Sequence, residues 1–464
     1  SVWNRWGYKN YTESGSVKSH EWGADKGTSA SLLRRIMHSQ YAYNCDILGY
    51  EQGWHYYGDD RSVKTGYNIT LPPQLPERGD MTEEQYKNEL QKRLTPVGVL
   101  QSNMVNFTEK HGYPGTMYTP VAVMLDFFAG YTPPRHLYSR RVYQTWGALP
   151  YDAGDYQAHA LFNMLYPGYE DASFYRDERG FLTATPYGDM FDVLLSDAET
   201  EVIESYNRLV LSGNLDIGAE EFDKIKTFTE QGGVTHVFLG NIDEAVKHFE
   251  KEKEIFLEFF GIKNICGKKN CAAGTVIEFK NRKYTEEAFE LYDLCLDNEA
   301  EVLAYTECGE PVIYEISRGK GRVCVIGLPY GINSEPAFDY SNIEDVATTS
   351  NEENDASPQP FDLLKTVKAY LGDSFNQEKL IELNANLQYV VNLMPDNKLL
   401  VTVVNNCNRT QRFDFKVCEG TLLYVEEIEL KNVNIEETGY YPFKYEEEKV
   451  TGEGAPQSSP QVPL

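Results

Sequence analysis

VAVMLD (Val121–Asp126), FDVLLSDA (Phe191–Ala198), RLVLSGN (Arg208–Asn214) and THVFLGN (Thr235–Asn241) are four apolar runs that alternate with stretches of helical spacing. Each is continuous in large aliphatic residues rather than alternating, the pattern of a strand buried on both faces of a parallel sheet. Between them, Tyr156–Tyr166 reads as a helix, and so does Ala219–Gln231. The second helix carries Phe222, Ile225 and Phe228 on one face and ends at Gly232-Gly233, a stop signal. The series closes with EVLAYTECGEPVIYEISRGKGRVCVIGLPYG (Glu301–Gly331), which predicts a β-hairpin turning at Arg318–Arg322. These runs predict a doubly wound α/β domain over residues 116–375, with a Lys/Glu-rich insertion at 242–300 and an acidic exposed loop at 334–360.

The flanks have a different character. Upstream, a helix is predicted over Ala30–Tyr43, with Leu32, Leu33, Ile36, Met37 and Tyr41 on one stripe. A strand, Cys45–Tyr50, and a polar, Pro-rich insertion, Tyr57–Asp80, follow it. Two more helices come next: one opened by Thr82-x-x-Gln85, which has capping-box form, and one over Pro96–Lys110. That order suits the closing βα units of a (β/α)8 barrel, although residues 1–115 are too few for the roughly 200 that eight units need. From about 380 the pattern changes to short runs, LQYVVNLM (Leu387–Met394), LLVTVVNN (Leu399–Asn406), RFDFKV (Arg412–Val417) and TLLYVEEIEL (Thr421–Leu430). They predict a small antiparallel β-sandwich over 380–450. The Gly/Pro/Ser/Gln-rich tail, 451–464, reads as disordered.

This succession, barrel end, α/β domain and β-domain, resembles the large β-galactosidase-type glycoside hydrolases. In that family a glutamine-amidotransferase-like domain follows a catalytic (β/α)8 barrel and precedes a small β-domain. The resemblance implies a carbohydrate substrate, a catalytically silent α/β domain, a homo-oligomer, and an additional N-terminal polypeptide that completes the barrel. Glycoside hydrolysis uses two carboxylates flanking the scissile bond, standing at the C-terminal ends of barrel strands. Glu21, in SHEWGADKG, and Glu51, which ends CDILGYEQGW, fit that requirement, with Trp22 and Trp54 beside them as sugar-stacking platforms. If the Ala30–Tyr43 helix joins strands seven and eight, the family's nucleophile position falls on Glu21, and its acid lies outside this chain.

Asp126 ends the first α/β run, and Asp155 lies in WGALPYDAGD after it, both at the binding edge of such a sheet. They are candidate substrate contacts; the plainer reading is loop capping. No GxGxxG run is present, and neither Asn214-Leu215-Asp216 nor Asn241-Ile242-Asp243 sets a Cys or Ser between glycines as a nucleophile elbow. Cys324 reads as a core residue. His111, His136, His159 and His236 are scattered, so neither a metal nor a cofactor is expected.

Composition narrows the class further. Of 464 residues 41% are apolar and 33 are tyrosines, a globular composition whose length suggests about three domains. The net charge, 43 − 71 = −28, excludes a broad nucleic-acid surface. No apolar run reaches the ~20 residues of a membrane span. Sequons at Asn10, Asn68, Asn106 and Asn408, with the close couples Cys266/Cys271 and Cys407/Cys418, predict a secreted, disulfide-bonded glycoprotein. Two readings stand: a secreted glycoside hydrolase, or a non-catalytic glycoprotein that keeps the architecture for binding or assembly.

Overall fold

The computed structural model describes residues 37–45, 76–94, 96–128, 152–167, 184–336, 361–383, 387–395, 398–404 and 413–418. Among them the chain forms two compact units, one running through 119–167 and 185–379, the other through 37–118 and 380–418.

In the second unit residues 37–42 are helical, and helices α1 (Glu83–Gln91) and α2 (Pro96–His111) follow. The capping box is in place: the Thr82 hydroxyl accepts from Gln85 N, and the Gln85 side chain accepts from Thr82 N. Two orphan amides of the first turn are thereby satisfied. Strand β1 (Thr116–Met117) follows.

In the first unit the chain builds β2 (Val121–Leu125), α3 (Ala153–Leu165), β3 (Phe191–Leu195), α4 (Thr200–Ile203), β4 (Arg208–Leu211), α5 (Ala219–Gln231) and β5 (Val234–Phe238). Then come α6 (Leu239–Ala245), a 3-10 turn, α7 (Lys253–Phe259), and strands β6 (Ile262–Cys271), β7 (Val276–Phe279), β8 (Arg282–Thr285), β9 (Phe289–Leu296), β10 (Glu301–Thr306), β11 (Pro311–Arg318) and β12 (Gly321–Ile326). Helix α8 (Lys365–Asn376) completes it. Nine strands make one sheet in the order β3-β2-β4-β5-β12-β11-β10-β7-β8. The first five are mutually parallel and the rest antiparallel. As the continuous runs predict, β2 and β4 are direct neighbours, with Val121 opposite Arg208.

Those runs are continuous because both faces are covered. Val121, Val123, Val210 and Phe238 pack with Leu161 and Phe162 of α3 and with Val367, Leu371 and Phe375 of α8. Ala122, Met124, Leu209, Leu211 and Val237 pack on the other face with Phe222, Ile225 and Phe228 of α5 and with Phe256 of α7. The predicted hairpin forms between β11 and β12, with Arg318 opposite Gly321. Gly319 has φ +57°, and a Cβ there would stand 2.5 Å from the Glu230 carbonyl oxygen, so the turn requires glycine.

In the second unit β1, β14 (Gln388–Met394) and β15 (Lys398–Val404) form a three-stranded antiparallel sheet, and β13 (Ile381–Leu383) pairs with β16 (Phe415–Val417). Ile381, Tyr389 and Val391 are its core. The run at Thr421–Leu430 lies outside the described residues.

One disulfide expectation is corrected. Cys266 and Cys271 do not flank a short loop; they lie five residues apart on the single strand β6. A strand advances ~3.3 Å per residue, which separates them by roughly 16 Å, well beyond the reach of a disulfide. Both are free thiols. Cys407 lies outside the described residues, so the second couple has no counterpart here. Among the described residues no helix is long and apolar enough to cross a membrane.

Candidate functional site

In this strand order the connections reverse direction between β2 and β4, and the crevice beyond the carboxyl ends of those strands is where open α/β sheets take ligands. The segments entering it are Asp126–Phe128 after β2, Ser212–Asp216 after β4, Asn241 and Asp243 on α6, the start of α3, and Tyr330 beyond β12.

Each side chain there has a local reason for its position. Asp126 turns back on its own loop, accepting from Phe128 N at 2.8 Å and from Asp216 N at 3.2 Å. Asp155 belongs to the reciprocal cap of α3. Asp152 Oδ1 accepts from Gly154 N and Asp155 N, and Asp155 Oδ2 accepts from Asp152 N at 3.2 Å. Asn214 Nδ2 donates to Asp152 Oδ1 at 2.6 Å, while Tyr330 donates to Asn214 Oδ1 at 3.0 Å. Gly213, at φ +70°, sits against Gly154 and Ala158 of α3. Gln157 Oε1 accepts from both Ser212 Oγ (2.9 Å) and Gly213 N (2.6 Å), and Asn241 Nδ2 donates to Gly213 O at 2.8 Å. On the far wall Tyr292 donates to Asp243 Oδ2 at 2.8 Å, with Lys268 Nζ 3.8 Å from the same oxygen. His248 Nε2 lies 2.6 Å from Asp216 Oδ1.

The electrostatics follow from burial and crowding of carboxylates. Burial, then the nearby charge of Asp152, raises the Asp155 carboxyl above its ordinary value, against the lowering effect of its bond from Asp152 N. Burial, then Asp152 and Glu244, pushes the Tyr330 phenol to about 12, and burial with the Asp243 bond raises Tyr292 as well. Asp216 is held below the usual carboxylate range, chiefly by its His248 hydrogen bond.

The crevice brings together the two aspartates singled out from sequence, Asp126 and Asp155, and gives both a capping role. It adds three groups that sequence reasoning missed: Asn214, Tyr330 and the exposed ring of Phe128 beside Asp126. The NxD spacing at Asn214–Asp216 was a usable signal; Tyr330 was not, because only the parallel pairing of β12 to β5 brings the end of that strand here. Among the described residues of this edge no nucleophile elbow stands: Ser196, which follows β3, is buried, and its Oγ accepts from Phe127 N at 3.1 Å. The Ser212 hydroxyl is fully buried and committed to Gln157, and Leu239-Gly240-Asn241 offers no hydroxyl or thiol. What remains is a polar, carboxylate-rich surface suited to hydrogen-bonding hydroxyl groups. Among the described residues no cluster of three or more His, Cys, Asp or Glu is placed to hold a metal. Glu21, Trp22, Glu51 and Trp54 lie outside the described residues.

A second polar cluster lies under α8, toward the opposite end of the strands, beside a hollow of about 380 Å³. Ser374 Oγ is 3.0 Å from His236 Nε2, and Tyr370 OH is 3.3 Å from His236 Nδ1. That looks like a nucleophile with its base. A general base works best with a pKa near the operating pH, whereas burial, then the charges of Arg208 and Arg322, hold His236 down to about 3. Arg208 Nη1 also donates to Ser374 Oγ at 2.8 Å, and Arg208 Nε pairs with Glu378 at 2.7 Å. The cluster ties α8 to β4 and β5 and lacks a competent base.

No family model matches the chain, and no curated protein matches it. Solved structures that resemble it include the β-galactosidase from Bacillus circulans sp. alkalophilus, 12% identical with a TM-score of 0.39, over 72% of this chain and 41% of that one. They also include Gan42B, a GH42 β-galactosidase of G. stearothermophilus, 12% identical with a TM-score of 0.36, over 79% and 50%. A third is the exo-β-1,4-mannosidase Op5Man5 from Opitutaceae bacterium strain TAV5, 12% identical with a TM-score of 0.29, over 65% and 42%. These three likenesses, to two β-galactosidases and a mannosidase, each stand at 12% identity with a TM-score below 0.4. The chain spans half or less of the length of these three enzymes.

Proposed function

We propose that this chain is part of a glycoside hydrolase-type protein acting on an oligosaccharide or polysaccharide, with its chemistry carried by Glu21 and Glu51 and not by the α/β unit. The observation that carries this reading is the state of the switch-point crevice. Among its described residues the carboxylates are engaged in capping and loop bonds, and neither Ser196 nor Ser212, both buried, stands on an exposed nucleophile elbow. A silent α/β unit of this topology, behind two Glu–Trp segments, is the arrangement the β-galactosidase resemblance implies. Trp22 and Trp54 supply the aromatic faces, and Asp126 and Asp155 a secondary polar surface. Secretion and N-glycosylation belong to the same reading, supported by four sequons, of which Asn106 is exposed on α2. So do assembly with further copies and a preceding polypeptide that completes the barrel.

The test is turnover of a panel of aryl glycosides and oligosaccharides by the purified protein and by Glu21→Gln and Glu51→Gln, which keep shape and remove charge. A residue acting as nucleophile or acid loses at least ~100-fold in kcat. Unchanged turnover in both variants rejects the site. Absence of any glycan cleavage favours the second reading, a non-catalytic glycoprotein, which the same crevice also supports.

A further inference from the structure

Among the described residues strands β6 and β9 pair only with each other, antiparallel, with Asn264 opposite Cys295 and Lys268 opposite Tyr292. The register shifts between Ile265 and Gly267, leaving Cys266 as the extra residue of a β-bulge. At the bulge the Cys266 side chain lies on the side of Asn264, whose Nδ2 is 3.6 Å from its Sγ. The Cys266 and Cys295 Sγ atoms are 3.5 Å apart, and both residues are exposed and unbonded. Closing that gap to the ~2.05 Å of a disulfide asks for side-chain rotation rather than movement of a strand already paired in register.

We infer that Cys266 and Cys295 form a dithiol–disulfide site that cross-links β6 to β9 when a small-molecule disulfide such as oxidised glutathione is present. One thiol, as thiolate, attacks a sulfur of the oxidant, forming a mixed disulfide and releasing one glutathione thiolate. The second cysteine's thiolate then displaces the other glutathione, forming the Cys266–Cys295 bond. Two cysteine protons leave to the released thiolates, the two cysteines are oxidised by two electrons, and one glutathione disulfide becomes two glutathione thiols. Asn264 Nδ2, 3.6 Å from Cys266 Sγ, is a donor to the attacking or leaving sulfur.

The position gives the bond a consequence. Lys268 and Tyr292, the second cross-strand pair beyond the bulge, are the residues that hold Asp243 at the wall of the switch-point crevice. Oxidation fixes these two strands to each other and braces that wall; reduction leaves them joined by the ladder alone.

The experiment treats the full chain with oxidised glutathione, blocks residual thiols, and maps it after combined tryptic and Glu-C digestion without reductant. Cleavage after Glu299 or Glu301 separates Cys295 from Cys308, so the two are told apart. The expected product is a cross-link between the Cys266 and Cys295 peptides, absent from Cys266→Ser and Cys295→Ser and retained in Cys271→Ser. Because the bond closes a loop of about 30 residues, the thermal midpoint of the wild type should fall by about 5–10 °C on reduction, with no such fall in Cys266→Ser. Separate glutathione adducts on the two residues, or Cys266 linked to Cys271 or Cys308, overturn the inference.

Discussion

The two ends of the central strands carry similar polar side chains and use them differently. At the carboxyl end, Asp126, Asp152, Asp155 and Asn214 bond to backbone and to one another at an edge that solvent reaches. At the other end, Arg208, His236 and Ser374 are buried, and Arg208 spends Nε, Nη1 and Nη2 on Glu378, Ser374 and Gln377. Residue type alone would make the second cluster the better catalytic candidate, since it holds a Ser–His contact. Burial reverses the ranking: a histidine that resists protonation and an arginine with its donors filled make a brace, while exposed carboxylates keep lone pairs for a ligand.

The comparison breaks first at Arg208. The Arg208 and Glu378 side chains are 5% and 13% exposed, so Arg208→Ala strands a largely buried carboxylate and should cost about 3–5 kcal/mol in denaturant unfolding. Replacing both partners, Arg208→Met with Glu378→Gln, removes the charge and should recover much of that loss. A cost under ~1 kcal/mol for Arg208→Ala would mean that this end is wet and that the contrast drawn here fails.

His236 sharpens the same contrast through pH. Its folded pKa, about 3, lies below the ordinary 6.5, so in acid the unfolded chain takes up the proton first. The stability this histidine confers is complete above pH 6.5 and is lost as pH falls from there toward 3. His236→Gln should therefore flatten the pH dependence of unfolding between pH 7 and 4 by up to ~1.4 kcal/mol per pH unit relative to wild type. The carboxylates titrate in both proteins and cancel in the difference. Parallel curves would show that His236 protonates in the folded state.

How much of this was legible in the sequence depends on the range of the interactions. The parallel strands and α5 were readable because continuous apolar runs and the Phe222–Ile225–Phe228 stripe are local records of burial on both faces. That Asp126 directly follows a strand was readable because a strand end is a local feature. The Ser374–His236–Arg208 cluster was invisible, since it joins positions up to 166 residues apart through the docking of α8. The cysteine couple misled for the converse reason. Five residues of spacing suit a short loop, but β6 stays extended because β9, across residues 272–288, pairs with it along its length.

The smallest expected effect lies at the exposed end, at the cap of α3. Asp152 accepts from Gly154 N, Asp155 N and Asn214 Nδ2, yet it is open to water, which can replace those donors. Loss of an N-cap carboxylate typically costs ~1 kcal/mol, so Asp152→Ala should destabilise by about that much, and Asp152→Asn, which keeps a capping oxygen, by a few tenths. A second readout separates local electrostatics from helix stability. The Asp152 charge is one of the causes that raise the Asp155 carboxyl, second to burial among them, so NMR titration of Asp155 in Asp152→Asn should move part of the way back toward the ordinary aspartate value. A loss of several kcal/mol in Asp152→Ala would put this crevice in the same class as the Arg208 cluster, as a structural brace and not a surface held open for a ligand.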